Sequence, residues 1–326
     1  MSRPPAPLPP DLGDLFTSAD AQRAGVPRGR LAARDLDAPF RGVRTRRLPP
    51  PPIDDEPLAR DRAQRARVLG LARAYAAVAP PGAFFVERTA AVLHGCPIGH
   101  PPDALDVGVV APARAPRARG IRGVKVAPHL VTIADVDGLP VVSAASAWAM
   151  LARTMSVLEL VIAGDALVAV PRGAGGQRMP HAQRCTTSRL SAAASAGPRR
   201  GVARLREALN HIREGAMSPP ESELRLDLTT AGLPEPRLDV EIRTPEGQLL
   251  GITELVYPDH RVAIEVEGDH HRTSRRQWDR DLEKYAAYAG AGWTVVRVSV
   301  SQIRDGRGVE IVAAALSRAS PRGTET

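Results

Sequence analysis

Residues 252–271 read ITELVYPDHRVAIEVEGDHH, and five side chains in this run can do metal or acid–base chemistry: Glu254, Glu265, Glu267, His270 and His271. Along RVAIEVEG, strand alternation puts Val262, Ile264 and Val266 on one face and Ala263, Glu265 and Glu267 on the other. Glu254 shares its face with Ile252 and Val256, and an acid buried in that apolar pattern needs a partner. A strand pair that places Glu254, Glu265 and Glu267 together sets carboxylates against one another. Their repulsion requires a cation or a raised pKa. Mg²⁺ suits an all-oxygen set, with Mn²⁺ as its substitute. His270 and His271 fall just past the strand end, where a general base or leaving-group acid is useful. The alternative is a solvated strand face, with the acids paired to arginines such as Arg272 and Arg276 and the histidines on the surface.

The elements that must hold these groups are punctuated clearly. SPPESELRLDLTTAGLP predicts a helix with Ser218 as N-cap, Pro219 at N1 and Glu221 at N3, a capping box. Leu224 and Leu228 give it an apolar face, and Gly232 and Pro234 end it. LDVEIRTP, GQLLGITELVYP and RVAIEVEG predict three strands joined by short turns. Trp278, Leu282, Tyr285 and Ala289 recur at helical spacing. WTVVRVSV predicts a further strand, and a terminal helix is expected near 308–318. The order describes a mixed α/β layer with helices on both sides.

The chain has 326 residues, enough for two or three domains. Aromatics make up 3% of it, so the core must be aliphatic. Cys96 and Cys185 supply neither a disulfide framework nor metal-ligand spacing. No apolar run is long enough to span a membrane, and the first residues lack a secretory h-region, so a cytoplasmic protein is expected. Lys plus Arg number 44 and Asp plus Glu 36, a net of +8. Residues 219–304 hold 15 acids and 11 bases, whereas 1–218 hold 18 acids and 30 bases. A basic front suits phosphate binding, and an acidic back suits a divalent cation.

Residues 1–13 are Pro-rich and read as a disordered tail. Residues 14–47 read as a small winged-helix-like unit. Thr17 or Ser18 caps ADAQRAG, Gly25 ends that helix, and Pro27 starts a second one at RGRLAARDL. Arg28, Arg30 and Arg34 on the second helix, with Arg41 and Arg44 on a wing, are candidate DNA contacts. Residues 57–170 mix short strands and helices. Residues 171–200, without any acid, read as a flexible basic linker, and 201–318 form the last domain.

Two resemblances bear on these readings. FTSADAQRAGVPRGRL with FRGVRTRR resembles the winged helix of AbiEi-type antitoxins, which are transcriptional repressors. VERTAAVLHGCPI, LDVGVV and LPVVSAASAWAMLA are similar to the middle of actinobacterial proteins that carry that front end. The resemblance spans about 14–170 and implies DNA as a partner, with a toxin partner unproven. The run ITELVYPDHRVAIEVEGDHHRTSRRQWDRDLEKYAAYAGAGWTVVRVS resembles domains related to very-short-patch mismatch repair endonucleases, in the restriction-endonuclease-like, PD-(D/E)xK superfamily. It covers about 218–305 and implies a fold built for metal-dependent DNA cleavage.

By that resemblance Glu221 matches the helix acid. Glu254 takes the first metal-binding position, where relatives usually carry Asp, and Glu265 takes the second. Glu267 stands where the wider superfamily has Lys. His271 or His270 matches the following histidine, Asp281 an acid on the next helix, and Lys284 a position where relatives often have Arg. The expected metal ligands are Glu254, Glu265 and Glu267, with Glu221 in support. Two functions follow: a Mg²⁺-dependent DNA endonuclease with its own DNA-binding module, or a non-catalytic DNA-binding regulator, antitoxin-like, on a degenerate nuclease fold. No Gly-rich phosphate loop follows a strand, so a nucleotide-cofactor enzyme has no support.

Overall fold

The computed structural model describes residues 5–47, 59–99, 103–267 and 275–319, without the side chains of 59–61 and 275–281. It is mixed α/β, and the chain divides into two compact units whose main boundary falls between Leu151 and Ala152, with Ser195–Pro198 belonging to the first.

The first unit opens on β1 (Leu15–Thr17) and α1 (Ser18–Arg23). Thr17 caps α1 as expected: its side chain accepts from the Asp20 N–H while Asp20 accepts from the Thr17 N–H. Gly25, at φ +74°, ends the helix in the left-handed region. The predicted second helix is instead a five-residue 3₁₀ turn, Arg28–Ala32, because Ala33 is already extended. β2 (Leu36–Asp37) and β3 (Val43–Arg46) complete a three-stranded sheet of order β1-β3-β2. Leu8 is buried with Phe16, Ala21 and Leu36, with Leu12 partly buried against them, so the segment expected as a loose tail is tied down at these two leucines.

Then follow α2 (Ala59–Ala76), β4 (Phe84–Phe85), α3 (Glu87–Leu93), β5 (Leu105–Val110), β6 (Ile121–Val126), β7 (Ile133–Val136), β8 (Leu139–Val142) and α4 (Ala144–Leu151). The five strands order β6-β5-β4-β8-β7. Arg122 joins the buried carboxylates of Glu87 and Asp106, at 2.7 and 2.6 Å.

The second unit holds α5 (Val157–Val168), α6 (Thr187–Ser195), α7 (Val202–His211), α8 (Pro219–Thr230), β9 (Arg237–Arg243), β10 (Leu249–Tyr257), β11 (Val262–Glu267), α9 (Arg275–Gly290), β12 (Thr294–Ser299), α10 (Val300–Arg304) and α11 (Arg307–Arg318). The segment read as a flexible linker, 171–200, is ordered. Arg172 and Arg178 bridge across a tight turn, and α6 buries Leu190 and Ala194, one helical turn apart. Leu190→Ala is therefore expected to cost about 2–5 kcal/mol, measured by urea denaturation. A linker residue would cost close to nothing.

The last sheet orders β12-β11-β10-β9, antiparallel except for the parallel β11–β12 pair. Leu255, Tyr257, Ile264, Val266, Val296 and Val298 pack with Leu224 and Leu228 of α8 and with α11 on one side. Ile242, Val256, Ala263 and Tyr288 of α9 form the other core. The strands, α8, α9 and the terminal helix fall where the sequence predicts them. The inner face of α9 does not: Leu282 and Ala289 are exposed, and Lys284 and Tyr288 point inward. Among the described residues no helix is long and apolar enough to cross a membrane.

Candidate functional site

The site lies where β10 and β11 part. Their ladder runs from Tyr257↔Val262 to Leu255↔Ile264. One residue on, at Glu254 and Glu265, a side chain replaces the backbone acceptor: the Val266 N–H donates to Glu254 Oε2 at 2.6 Å. On the other flank, the β9–β10 register of Thr253↔Val240 and Leu255↔Leu238 sets Asp239 beside Glu254. Asp239 has φ +51°, a left-handed residue inside a strand, which is costly for a residue with a Cβ. Three neighbouring strands thus bring Asp239, Glu254 and Glu265 into one row.

Glu221 approaches from the first turn of α8, almost fully buried. The expected capping box does not form, since Ser218 makes no side-chain cap to the helix. The Glu221 carboxylate accepts from the Met217 N–H at 2.9 Å instead. It is close enough to the row that Asp239 and Glu265 act on its charge.

Burial and crowding set the protonation. Glu221 is raised to about 7, first by burial, with Asp239 and Glu265 adding to it against the hydrogen bonds from Met217 and Ser218. Glu254 is raised to about 9, first by burial and then by the charges of Glu221 and Glu265, against the Val266 N–H and Lys284. Near neutral pH Glu254 therefore keeps its proton and Glu221 is poised at its midpoint.

The cation present is Lys284. Its Nζ donates to Glu265 Oε1 and to the Ile252 carbonyl, each at 2.7 Å, and lies 5.5 Å from the Tyr288 ring centroid. Tyr288 is buried, its hydroxyl accepts from Thr253 Oγ1 at 2.9 Å, and burial pushes it up to about 12. A second positive group comes from the ordered 172–178 turn. Arg172 donates to Asp239 at 2.6 Å and to Glu241 at 3.0 Å, and Arg178 reaches Asp239 at 3.0 Å. Sequence reasoning missed Asp239, Arg172 and Arg178. It placed Lys284 as standing where relatives of the resembled group often have Arg. The Arg-Gly-x-Gly-Gly-x-Arg spacing, with two arginines flanking a turn, was the available signal for the 172–178 strap.

Of the predicted site residues, Glu221, Glu254 and Glu265 come together. Glu267 does not. It shares a strand face with Glu265 but ion-pairs with Arg297 on β12, and its charge is not among those acting on Glu221 or Glu254. His270, His271 and the side chain of Asp281 lie outside the described residues. Of the candidate DNA contacts, Arg30 is committed to a bidentate pair with Asp35 and to the Ala6 carbonyl. Arg44 donates to the carbonyls of Leu31 and Val43. Arg28, Arg34 and Arg41 are exposed.

The donor set is carboxylate oxygen, crowded and partly protonated, which suits Mg²⁺ or Mn²⁺. As the side chains stand, no three His, Cys, Asp or Glu among the described residues close on one point. Glu254 faces the Val266 N–H and Glu265 faces Lys284.

The raised carboxyls carry a stability signature. Glutamates ordinarily titrate near 4.5. Between about pH 5 and 9 the folded chain therefore holds more protons at Glu221 and Glu254 than the unfolded chain. Stability must fall as pH rises through that window, at most about 1.4 kcal/mol per pH unit for each group. Glu254→Gln is expected to be more stable than the parent at pH 8–9 and to flatten the pH profile in urea denaturation. An unchanged profile would show that Glu254 titrates normally.

No family model matches the chain. It is similar to two proteins of Mycobacterium tuberculosis, from strains CDC 1551 / Oshkosh and ATCC 25618 / H37Rv, each described as uncharacterized. Each is 33% identical over 143 residues, 43% of this chain and 52% of the relative, so the chain spans about half the length of the curated relatives it matches.

Proposed function

We propose that the second unit is a metal-dependent hydrolase of DNA phosphodiester bonds on a restriction-endonuclease-like fold, joined to a DNA-binding first unit. The observation that carries this reading is the row of Asp239, Glu254 and Glu265 where two strands diverge, with Lys284 on Glu265 and the buried Glu221 near enough to feel Asp239 and Glu265. The helix–three strands–helix–strand order supports it. Glu254 and Glu265 would hold Mg²⁺ or Mn²⁺, with Glu221 in support. When bound, the ion supplies charge for a phosphoryl oxygen and lowers the pKa of water. Lys284 orients Glu265 and offers a positive charge to an anionic transition state. Glu221, titrating near neutral pH, is matched to taking a proton from water. His270 and His271 keep the general acid–base role that the mismatch-repair resemblance gives them.

A second reading, a non-catalytic DNA-binding regulator of the antitoxin type, draws on a specific observation. Lys284 and a protonated Glu254 already neutralise the cluster without a metal. A nicking assay on supercoiled and mismatched DNA separates the two. Cutting with Mg²⁺ or Mn²⁺ that Glu265→Ala abolishes supports the hydrolase. Intact DNA binding without cutting by either protein supports the regulator.

A further inference from the structure

The first unit carries a cleft of about 680 Å³ whose walls bear four arginines, Arg41, Arg44, Arg117 and Arg119, and none of whose lining residues is acidic. Its floor is apolar: Phe40 and Tyr75 meet edge to face at 5.3 Å, both buried. Arg41 comes from the turn before β3, and Arg117 and Arg119 from the loop between β5 and β6. These three are exposed. The acids nearest Arg41 in sequence are already neutralised, Asp37 by Arg47 and Asp35 by Arg30, and Asp106, the nearest to Arg117 and Arg119, is neutralised by Arg122.

We infer that this cleft grips the phosphodiester backbone of duplex DNA without reading its sequence, an inference that rests on the DNA reading above. Among the described residues these three guanidiniums make no ion pair, and they line one cleft from two separate chain segments, which is the chemistry of phosphate contact. Arginine can itself read guanine, but base reading needs its donors carried into the groove, as at the tip of an inserted helix. These arginines come from a turn and a loop, the cleft lining holds no Asn, Gln, Ser or Thr, and the short turn at Arg28–Ala32 is no groove-filling helix. The grip shares Arg41 and Arg44 with the wing read from the sequence, but its other two cations, Arg117 and Arg119, come from outside residues 14–47.

The test uses the full chain and two unrelated 25-base-pair duplexes in fluorescence anisotropy across a salt series. Arg41→Ser/Arg117→Ser/Arg119→Ser is expected to lose about tenfold or more in affinity near 0.1 M salt, equally for both duplexes. The slope of log affinity against log salt should shrink by about 2–3. The thermal unfolding midpoint should stay at the parent value, since the three side chains are exposed. Arg28→Ser/Arg34→Ser, outside the cleft, should change affinity less. An unchanged slope in the triple variant, a loss confined to one duplex, a larger loss in the Arg28/Arg34 variant, or preference for duplex RNA would each overturn the inference. Failure of the hydrolase reading looks different: the chain would bind both duplexes through the cleft and cut neither.

Discussion

Replacing Asp165 by alanine is expected to cost about 3–5 kcal/mol of folding stability. Asp165 and Arg225 are each 1% exposed, and their contact, at 2.9 Å, joins α5 to α8. The same carboxylate accepts from Ser222 Oγ at 2.7 Å and from the Arg213 N–H at 2.7 Å. Arg225 also donates to the His211 carbonyl at 2.7 Å and to Glu235 at 3.1 Å. Removing the carboxylate leaves the buried guanidinium with Glu235 as its remaining counter-charge and orphans two further donors, and that loss outweighs the net worth of the pair itself. The penalty reaches the site as well, because α8 carries Glu221 one helical turn before Arg225. Urea denaturation of Asp165→Ala reads the cost, and Asp165→Leu combined with Arg225→Met should recover most of it. A loss under about 1 kcal/mol would mean that water enters and solvates Arg225.

Lys284→Met is expected to reduce DNA nicking by about 10²–10³-fold, the scale for removing one positioned transition-state donor. The ammonium is the cation that touches Glu265, and it also holds the Ile252 carbonyl at the strand divergence. Without it Glu254 and Glu265 lose their counter-charge, so the variant should lose stability more steeply than the parent as pH rises. Lys284→Arg keeps the charge but not the compact geometry and should recover only part of the rate. Nicking rates and pH-dependent denaturation of the two variants make the check. A Lys284→Met protein that cuts faster than the parent would show the lysine to be blocking Glu265 and would overturn its catalytic role.

Much of this architecture was legible in the sequence, for identifiable reasons. The alternation in RVAIEVEG, the Pro-Asp-His turn before it and the Gly292–Trp293 start of β12 each impose one local conformation, and the structure follows them. Glu254 and Glu265 were legible as a pair because an acid among β-branched neighbours requires a counterpart, whereas Glu221 joined them only through the nuclease resemblance. Glu267 was misplaced because alternation fixes a face but not a partner, and Arg297 on the next strand takes it. Asp239 was hidden because its left-handed backbone breaks the periodicity that would have flagged it. Lys284 was ambiguous because the helical spacing of Trp278, Leu282, Tyr285 and Ala289 marks the wrong stripe as inward. The 172–178 turn and α6 were read as linker because glycine, serine and alanine dominate them, and a single leucine, Leu190, anchors the helix.

Titration calorimetry with Mn²⁺ and Mg²⁺, run at pH 7–8 in buffers of different ionisation enthalpy, asks most directly whether the acid cluster is a metal site. If it is, one tight-binding event should release close to one proton or more per ion, because Glu254 and part of Glu221 must give theirs up. Both binding and release should vanish in Glu254→Gln/Glu265→Gln. Binding without proton release, or binding that survives the double substitution, would place the metal elsewhere and contradict the hydrolase.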